Sequence, residues 1–79
     1  MVTVYSKPGC QPCRLVKMRL EKNDVEFEVK DITEDPAALA HVEFLGYKSV
    51  PVVQWENAEG TIGGHFGGYA PDKIDDIRI

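Results

Sequence analysis

The chain has 79 residues, two cysteines, nine Lys and Arg against thirteen Asp and Glu, and a formal net charge of −4. That length predicts one domain, near the lower limit at which a hydrophobic core is self-sufficient, and two cysteines cannot supply a disulfide framework. No segment approaches the roughly 20 apolar residues that span a bilayer, and the acidic balance argues against nucleic acid as a partner.

Met1 runs directly into Val2, Thr3, Val4 and Tyr5, with no basic or long apolar leader, so a cytoplasmic location is expected. Val2 to Ser6, β-branched and aromatic, reads as a strand, and Lys7-Pro8-Gly9 ends it in a tight loop. From Pro12 or Cys13 to about Asn23 the pattern is helical: Cys13, Val16 and Leu20 share a face, with Leu15 and Met18 beside it. Val25, Phe27 and Val29 then alternate with charged residues, which predicts a strand over 25–30 with one solvated face. Asp35 reads as an N-cap, Pro36 as the first residue of a helix carrying Leu39, Val42 and Leu45, and Gly46 as its stop.

Val50-Pro51-Val52-Val53-Gln54-Trp55 is a third strand, and Pro51 must lie at its start or on an edge because it has no N–H for a ladder. Residues 57–60 read as a turn. Residues 61–66 return antiparallel, weakened or bulged at Gly63-Gly64. Pro71 opens a last short helix with Ile74 and Ile77 at helical spacing, stopping at Ile79. The predicted order is β-α-β-α-β-β-α, and the first strand–helix–strand unit favours parallel pairing. Tyr5, Phe44, Trp55 and Phe66 are apolar enough for the core, and most of them are expected there.

The motif that carries chemistry is Cys10-Gln11-Pro12-Cys13, where a strand gives way through a Pro-Gly loop to a helix. Backbone N–H groups and the dipole at a helix N-terminus favour a thiolate. Cys10, at the outer edge, is expected to be the exposed nucleophile. Cys13, one turn in, is expected to be more buried and able to resolve a mixed disulfide on Cys10. A bridge across so short a loop constrains little of the unfolded chain, so it is not a structural staple. The same spacing is half of a zinc site, whose remaining ligands would have to include His41 and His65; these are far apart and read as surface or loop residues. Residues 1–23 hold Lys7, Arg14, Lys17, Arg19 and Lys22 against Glu21 alone. That charge either gathers positive potential at the cysteines or is a solvated helix face.

With Val4-Tyr5-Ser6-Lys7-Pro8-Gly9-Cys10-Gln11-Pro12-Cys13 and Gly46-Tyr47-Lys48-Ser49-Val50-Pro51-Val52-Val53 in view, the chain resembles the glutaredoxin group of the thioredoxin superfamily. Through Gly68-Tyr69-Ala70-Pro71-Asp72-Lys73-Ile74 it most resembles the NrdH-redoxins. The resemblance implies a thioredoxin-like fold, a four-stranded mixed sheet flanked by helices, and a dithiol–disulfide oxidoreductase. It further implies that Pro51 is a cis-proline facing the cysteines, with the Val50 backbone offering strand-like hydrogen bonds to a ligand. With them, Lys7, Gln11, Pro12, Gly68 and Tyr69 make up the expected partner-binding set, Tyr69 as an exposed contact beside the cysteines. Lys7 offers charge to a thiolate or to glutathione, or is simply solvated.

NrdH-redoxins are monomeric electron carriers without a bound cofactor: thioredoxin reductase reduces them with NADPH-derived electrons, and they reduce ribonucleotide reductase of the class Ib type. Glutaredoxins carry an acidic residue soon after a Gly-Gly pair to hold the amino end of glutathione. Here Gly67-Gly68 is followed by Tyr69, Ala70 and Pro71, so weak glutathione binding is expected. The chain departs from the NrdH pattern at Phe66-Gly67-Gly68-Tyr69, where Trp-Ser-Gly-Phe is usual, and in a longer segment over 54–65. Two alternatives stand beside the thioredoxin-reductase-dependent carrier: a glutathione-dependent glutaredoxin, and a non-catalytic binding module using the Val50-Pro51 edge and Tyr69.

Overall fold

The computed structural model describes residues 1–57 and 59–77. Its elements follow the expected order: β1 (Val2–Ser6), α1 (Gln11–Lys22), β2 (Phe27–Asp31), α2 (Pro36–Phe44), β3 (Val52–Glu56), β4 (Ile62–Gly67) and α3 (Pro71–Asp75). The sheet order is β2-β1-β3-β4, with β1 and β2 parallel and the other pairs antiparallel.

Side-chain alternation along the two central strands divides the core. Val2, Val4, Val53 and Phe66 face Val16 and Leu20 of α1 and Ile74 of α3, with Ile77 just beyond it. On the other face Tyr5 and Val52 meet Ala38 and Val42 of α2, together with Val50 and Cys13. The second active-site sulfur is thus part of the core.

Both long helices stop in the same way. Past α1, Asp24 takes a positive φ of 56°, its N–H bonds the Glu21 carbonyl and the Val25 N–H bonds that of Leu20. Past α2, Gly46 takes a φ of 96°, its N–H bonds Glu43 and the Tyr47 N–H bonds Val42. These are paired closures of the Schellman type, each returning the next side chain toward the helix it has left. One delivers Val25 to the core beside Leu20. The other delivers Tyr47 to the cluster around the cysteines.

Several boundaries and burials differ from the sequence reading. Helix α1 begins at Gln11, because Pro12 costs no hydrogen bond in a first turn whose N–H groups are unpaired anyway. The second strand starts at Phe27, since Val25 is held in the closure after α1. Pro51 precedes β3, a central strand, so it sits at a strand start and not on an edge. The expected irregularity opposite Gly63-Gly64 is present as a register shift at Trp55/Glu56. A Cβ at Gly64 would come within 2.5 Å of the Trp55 ring, so the glycine makes room for that side chain.

Phe44 is not core: it is 82% exposed, because it lies 200° around α2 from the buried Val42. Leu15 and Met18 are likewise turned out from the Val16–Leu20 stripe, Leu39 lies partly uncovered on a groove rim, and Val29 is exposed on the edge strand. His65 is on the surface, on β4, as expected, whereas His41 is half-buried on α2. The predicted stop at Ile79, and part of the turn over 57–60, fall outside the described residues.

Candidate active site

The chain leaves β1 at Ser6, turns through Gly9 at a φ of 74°, and enters α1 with Cys10 as its N-cap. Cys10 has extended backbone angles, and its Sγ accepts the Cys13 N–H at 3.2 Å. The sulfur thereby occupies the place usually taken by a capping oxygen, facing the unpaired donors of the first turn. The two cysteines are joined by a disulfide, with Cα atoms 5.3 Å apart. Cys10 is partly exposed, whereas Cys13 is 1% exposed. Only one of the two sulfurs is open to an approaching disulfide.

The opposite wall is Val50-Pro51, whose peptide bond is cis. The Val50 carbonyl oxygen stands 3.9 Å from Cys10 Sγ, close enough to accept from a thiol there once the bridge is reduced. Gly68, at a φ of 79°, donates its N–H to the Pro51 carbonyl at 2.8 Å and ties the end of β4 to this wall. Tyr47 fills the space above Gly67, where a Cβ would approach its ring to 3.0 Å, and its hydroxyl pairs with His65 Nδ1 at 2.7 Å. Burial raises the pKa of Tyr5, so the phenol packed in the Cys13 cluster stays neutral over the physiological range.

A partly exposed sulfur capping a helix, a buried sulfur one turn inward and a cis-proline wall form the arrangement implied by the family resemblance. The glutaredoxin family model matches residues 2–57. The chain belongs to the glutaredoxin family. Its similarity extends to the glutaredoxin-like protein NrdH of Lactococcus lactis, 31% identical over 74 residues and covering 94% of each chain. The Gene 56 protein of Mycobacterium phage D29 is 36% identical over 77 residues, covering 96% of this chain and 80% of that one. Among solved structures, NrdH-redoxin from Escherichia coli matches with a TM-score of 0.85 at 23% identity, covering 99% of this chain and 95% of that one. A glutaredoxin from Archaeoglobus fulgidus gives 0.70 at 27% identity, covering 95% and 82%. This glutaredoxin-family protein is therefore NrdH-like, with a thioredoxin-like α/β fold, and is a thiol–disulfide oxidoreductase.

The remaining residues singled out in the sequence are distributed around this centre. Lys7 and Gln11 line an open pocket with Cys10, and Pro12 is exposed as the second residue of α1. Tyr69 lies further along α1 than Cys10, in a groove with Leu15, Met18, Arg19 and Lys22. Ala70, in the run that lacks the acidic residue of glutaredoxins, is the N-cap of α3 and offers no side-chain cap. His41 bonds the buried Gln54 side chain through Nε2 at 2.5 Å and packs by Tyr5 and Phe44, so both histidines have partners of their own. Among the described residues no group of three or more His, Cys, Asp or Glu is placed to hold a metal ion.

One residue of the site carries no role in the sequence, Tyr47, although the helix stop at Gly46 is a signal that the side chain after it folds back. The structure also narrows which of the N-terminal cations meet the cysteines. Arg14 and Lys17 share the Cys10 pocket with Lys7. Their signal was the charge imbalance of the first 23 residues, which did not reveal which side of the helix the loop would approach.

Proposed function

We propose that this protein is a dithiol electron carrier, reduced by thioredoxin reductase with electrons from NADPH and passing them to protein disulfides, ribonucleotide reductase of the class Ib type foremost. It acts as a cytoplasmic monomer. The observation that carries the reading is Cys10: a partly exposed sulfur in the N-cap of α1, bridged to a core-buried Cys13.

The reaction begins with the Cys10 thiolate attacking one sulfur of the partner's disulfide. That S–S bond breaks, the partner's other sulfur leaves as a thiolate and takes a proton from water, and Cys10 is held in a mixed disulfide. Val50, Pro51 and Gly68 position the partner segment in this state, Gln11, Pro12 and Lys7 flank it, and Tyr69 offers a contact further along α1. Cys13, deprotonated, then attacks Cys10 Sγ, releasing the partner's second thiolate and closing the Cys10–Cys13 bridge. Two electrons have moved to the partner, and two from the thioredoxin reductase dithiol restore the pair. Burial of Cys13 suits this order, because a shielded sulfur can reach Cys10 but not an outside disulfide.

The choice of reductase over glutathione is supported by the run after Gly67-Gly68, where Tyr69, Ala70 and Pro71 supply no carboxylate. Disulfide reduction measured with NADPH and thioredoxin reductase, and separately with NADPH, glutathione and glutathione reductase, tests it. Turnover in the first system is expected. Turnover only in the second would make the protein a glutathione-dependent glutaredoxin, and none in either would make it a binding module.

A further inference from the structure

The overall charge of the chain conceals a division. Residues 1–23 carry five Lys and Arg against one acid, and the remainder carries four against twelve. The structure folds part of that positive segment into one wall: Lys7 from the loop after β1, and Arg14 and Lys17 from successive turns of α1, line an open pocket of about 320 Å³ with Cys10 and Gln11. Among the described residues none of these three cations forms an ion pair with a carboxylate, whereas Arg19 on the next turn is paired with Asp75. An unpaired set of cations beside a nucleophile, on a chain that is elsewhere acidic, is a directional field for an anionic partner.

We propose that this pocket selects the partner: the disulfide presented to Cys10 lies in an acidic protein segment, whose carboxylates next to the cysteines occupy the pocket of Lys7, Arg14 and Lys17. This rests on the dithiol-exchange reading above and adds the chemistry of the substrate. Arg14 and Lys17 are specificity residues and do not touch the reacting sulfurs. Their effect falls on encounter and orientation, and it weakens as salt screens partly exposed charges. A protein segment suits the site better than a small thiol carrying carboxylates, because α1 sets two cations one turn apart and the loop adds a third, a spread that follows an extended chain.

The test uses the full-length protein, reduced and freed of reductant, and two synthetic disulfide peptides that differ only in having two Glu or two Gln beside the cysteine pair. Single-turnover rates at low salt are expected to favour the Glu peptide by roughly tenfold. The ratio falls towards one at high salt, and towards one at low salt in the Arg14→Gln/Lys17→Gln variant. Taking the ratio on one protein sample cancels any change in Cys10 reactivity that the variant causes. With Arg14→Glu/Lys17→Glu, a peptide carrying two Lys at those places becomes the faster substrate. Equal rates for the Glu and Gln peptides on the wild-type protein, a preference unaltered by the substitutions, or faster reduction of oxidised glutathione than of the Glu peptide would overturn the proposal while leaving dithiol exchange intact. Reduction of none of these disulfides would remove dithiol exchange itself, and the proposal with it.

Discussion

The two ends of α1 use similar side chains for opposite purposes. At its C-terminal end Arg19 makes two hydrogen bonds to the Asp75 carboxylate, Asn23 donates a third at 2.8 Å, and the helix is clasped to α3. At its N-terminal end Arg14 and Lys17 have no such partners among the described residues, and the first-turn donor of Cys13 points at a sulfur. Beneath both ends runs one buried stripe, Cys13, Val16 and Leu20, so the difference lies in the exposed side chains and caps. Charge near the C-terminus is committed to the fold; charge near the N-terminus is, under the proposal above, left for chemistry and recognition. Substitutions at one end should then change exchange with little change in stability, and substitutions at the other should do the reverse.

The largest expected effect is at the reactive end. Cys10→Ser should abolish disulfide reduction with thioredoxin reductase and NADPH while the melting temperature of the reduced protein stays close to that of the wild type. Residual turnover would mean that Cys13 attacks on its own. Cys13→Ser should instead arrest the reaction midway, with a partner protein covalently held on Cys10, seen as a reductant-sensitive mass shift. Wild-type turnover in that variant would show that no resolving step is needed.

Stability changes should dominate further along the molecule. Leu20→Ala removes a fully buried side chain from the α1–α3 layer and should cost about 2–5 kcal/mol in urea unfolding. The exchange rate of the folded fraction should barely move. Gly64→Ala, which pushes a Cβ into the Trp55 ring, should cost about 1–3 kcal/mol. An unchanged unfolding midpoint would mean that the ring shifts aside freely.

The smallest effect belongs to the clasp itself. The Asp75 carboxyl, bonded by Arg19 and Asn23, has its pKa lowered from 3.8 to about 2. A depressed pKa means that the native state favours the ionised form, so its stabilisation is complete above 3.8 and disappears as pH falls through about 2. Asp75→Asn should lower the melting temperature slightly at neutral pH, solvent screening keeping the effect small. The gap from the wild type should close in the same acidic window. A gap that persists below it would assign the effect to packing.

Much of this contrast was legible in the sequence because it rests on local rules. Asp35-Pro36 announced the cap, and Asp35 Oδ1 does accept from Ala37 and Ala38. Gly46 announced the stop, and the Pro-Gly loop before Cys10 announced a helix beginning at a thiol. What stayed hidden needs a second element to be in place. An apolar residue such as Phe44 or Val29 is recognisable, but whether anything covers it depends on helix phase and on which strand ends the sheet. The Arg19–Asp75 clasp joins positions 56 residues apart. The meeting of Lys7 with Arg14 and Lys17 depends on the path of the loop through Gly9.

The proposed chemistry depends on Cys10 being the sulfur which ionises and reacts. Brief labelling of the reduced protein with iodoacetamide across a pH series, followed by peptide mass mapping, measures this at each cysteine separately. Alkylation of Cys10 alone is expected at neutral pH, with a midpoint below the value of about 8.5 for an ordinary cysteine. A Cys10 midpoint at or above that value, or labelling of Cys13 first, would contradict it.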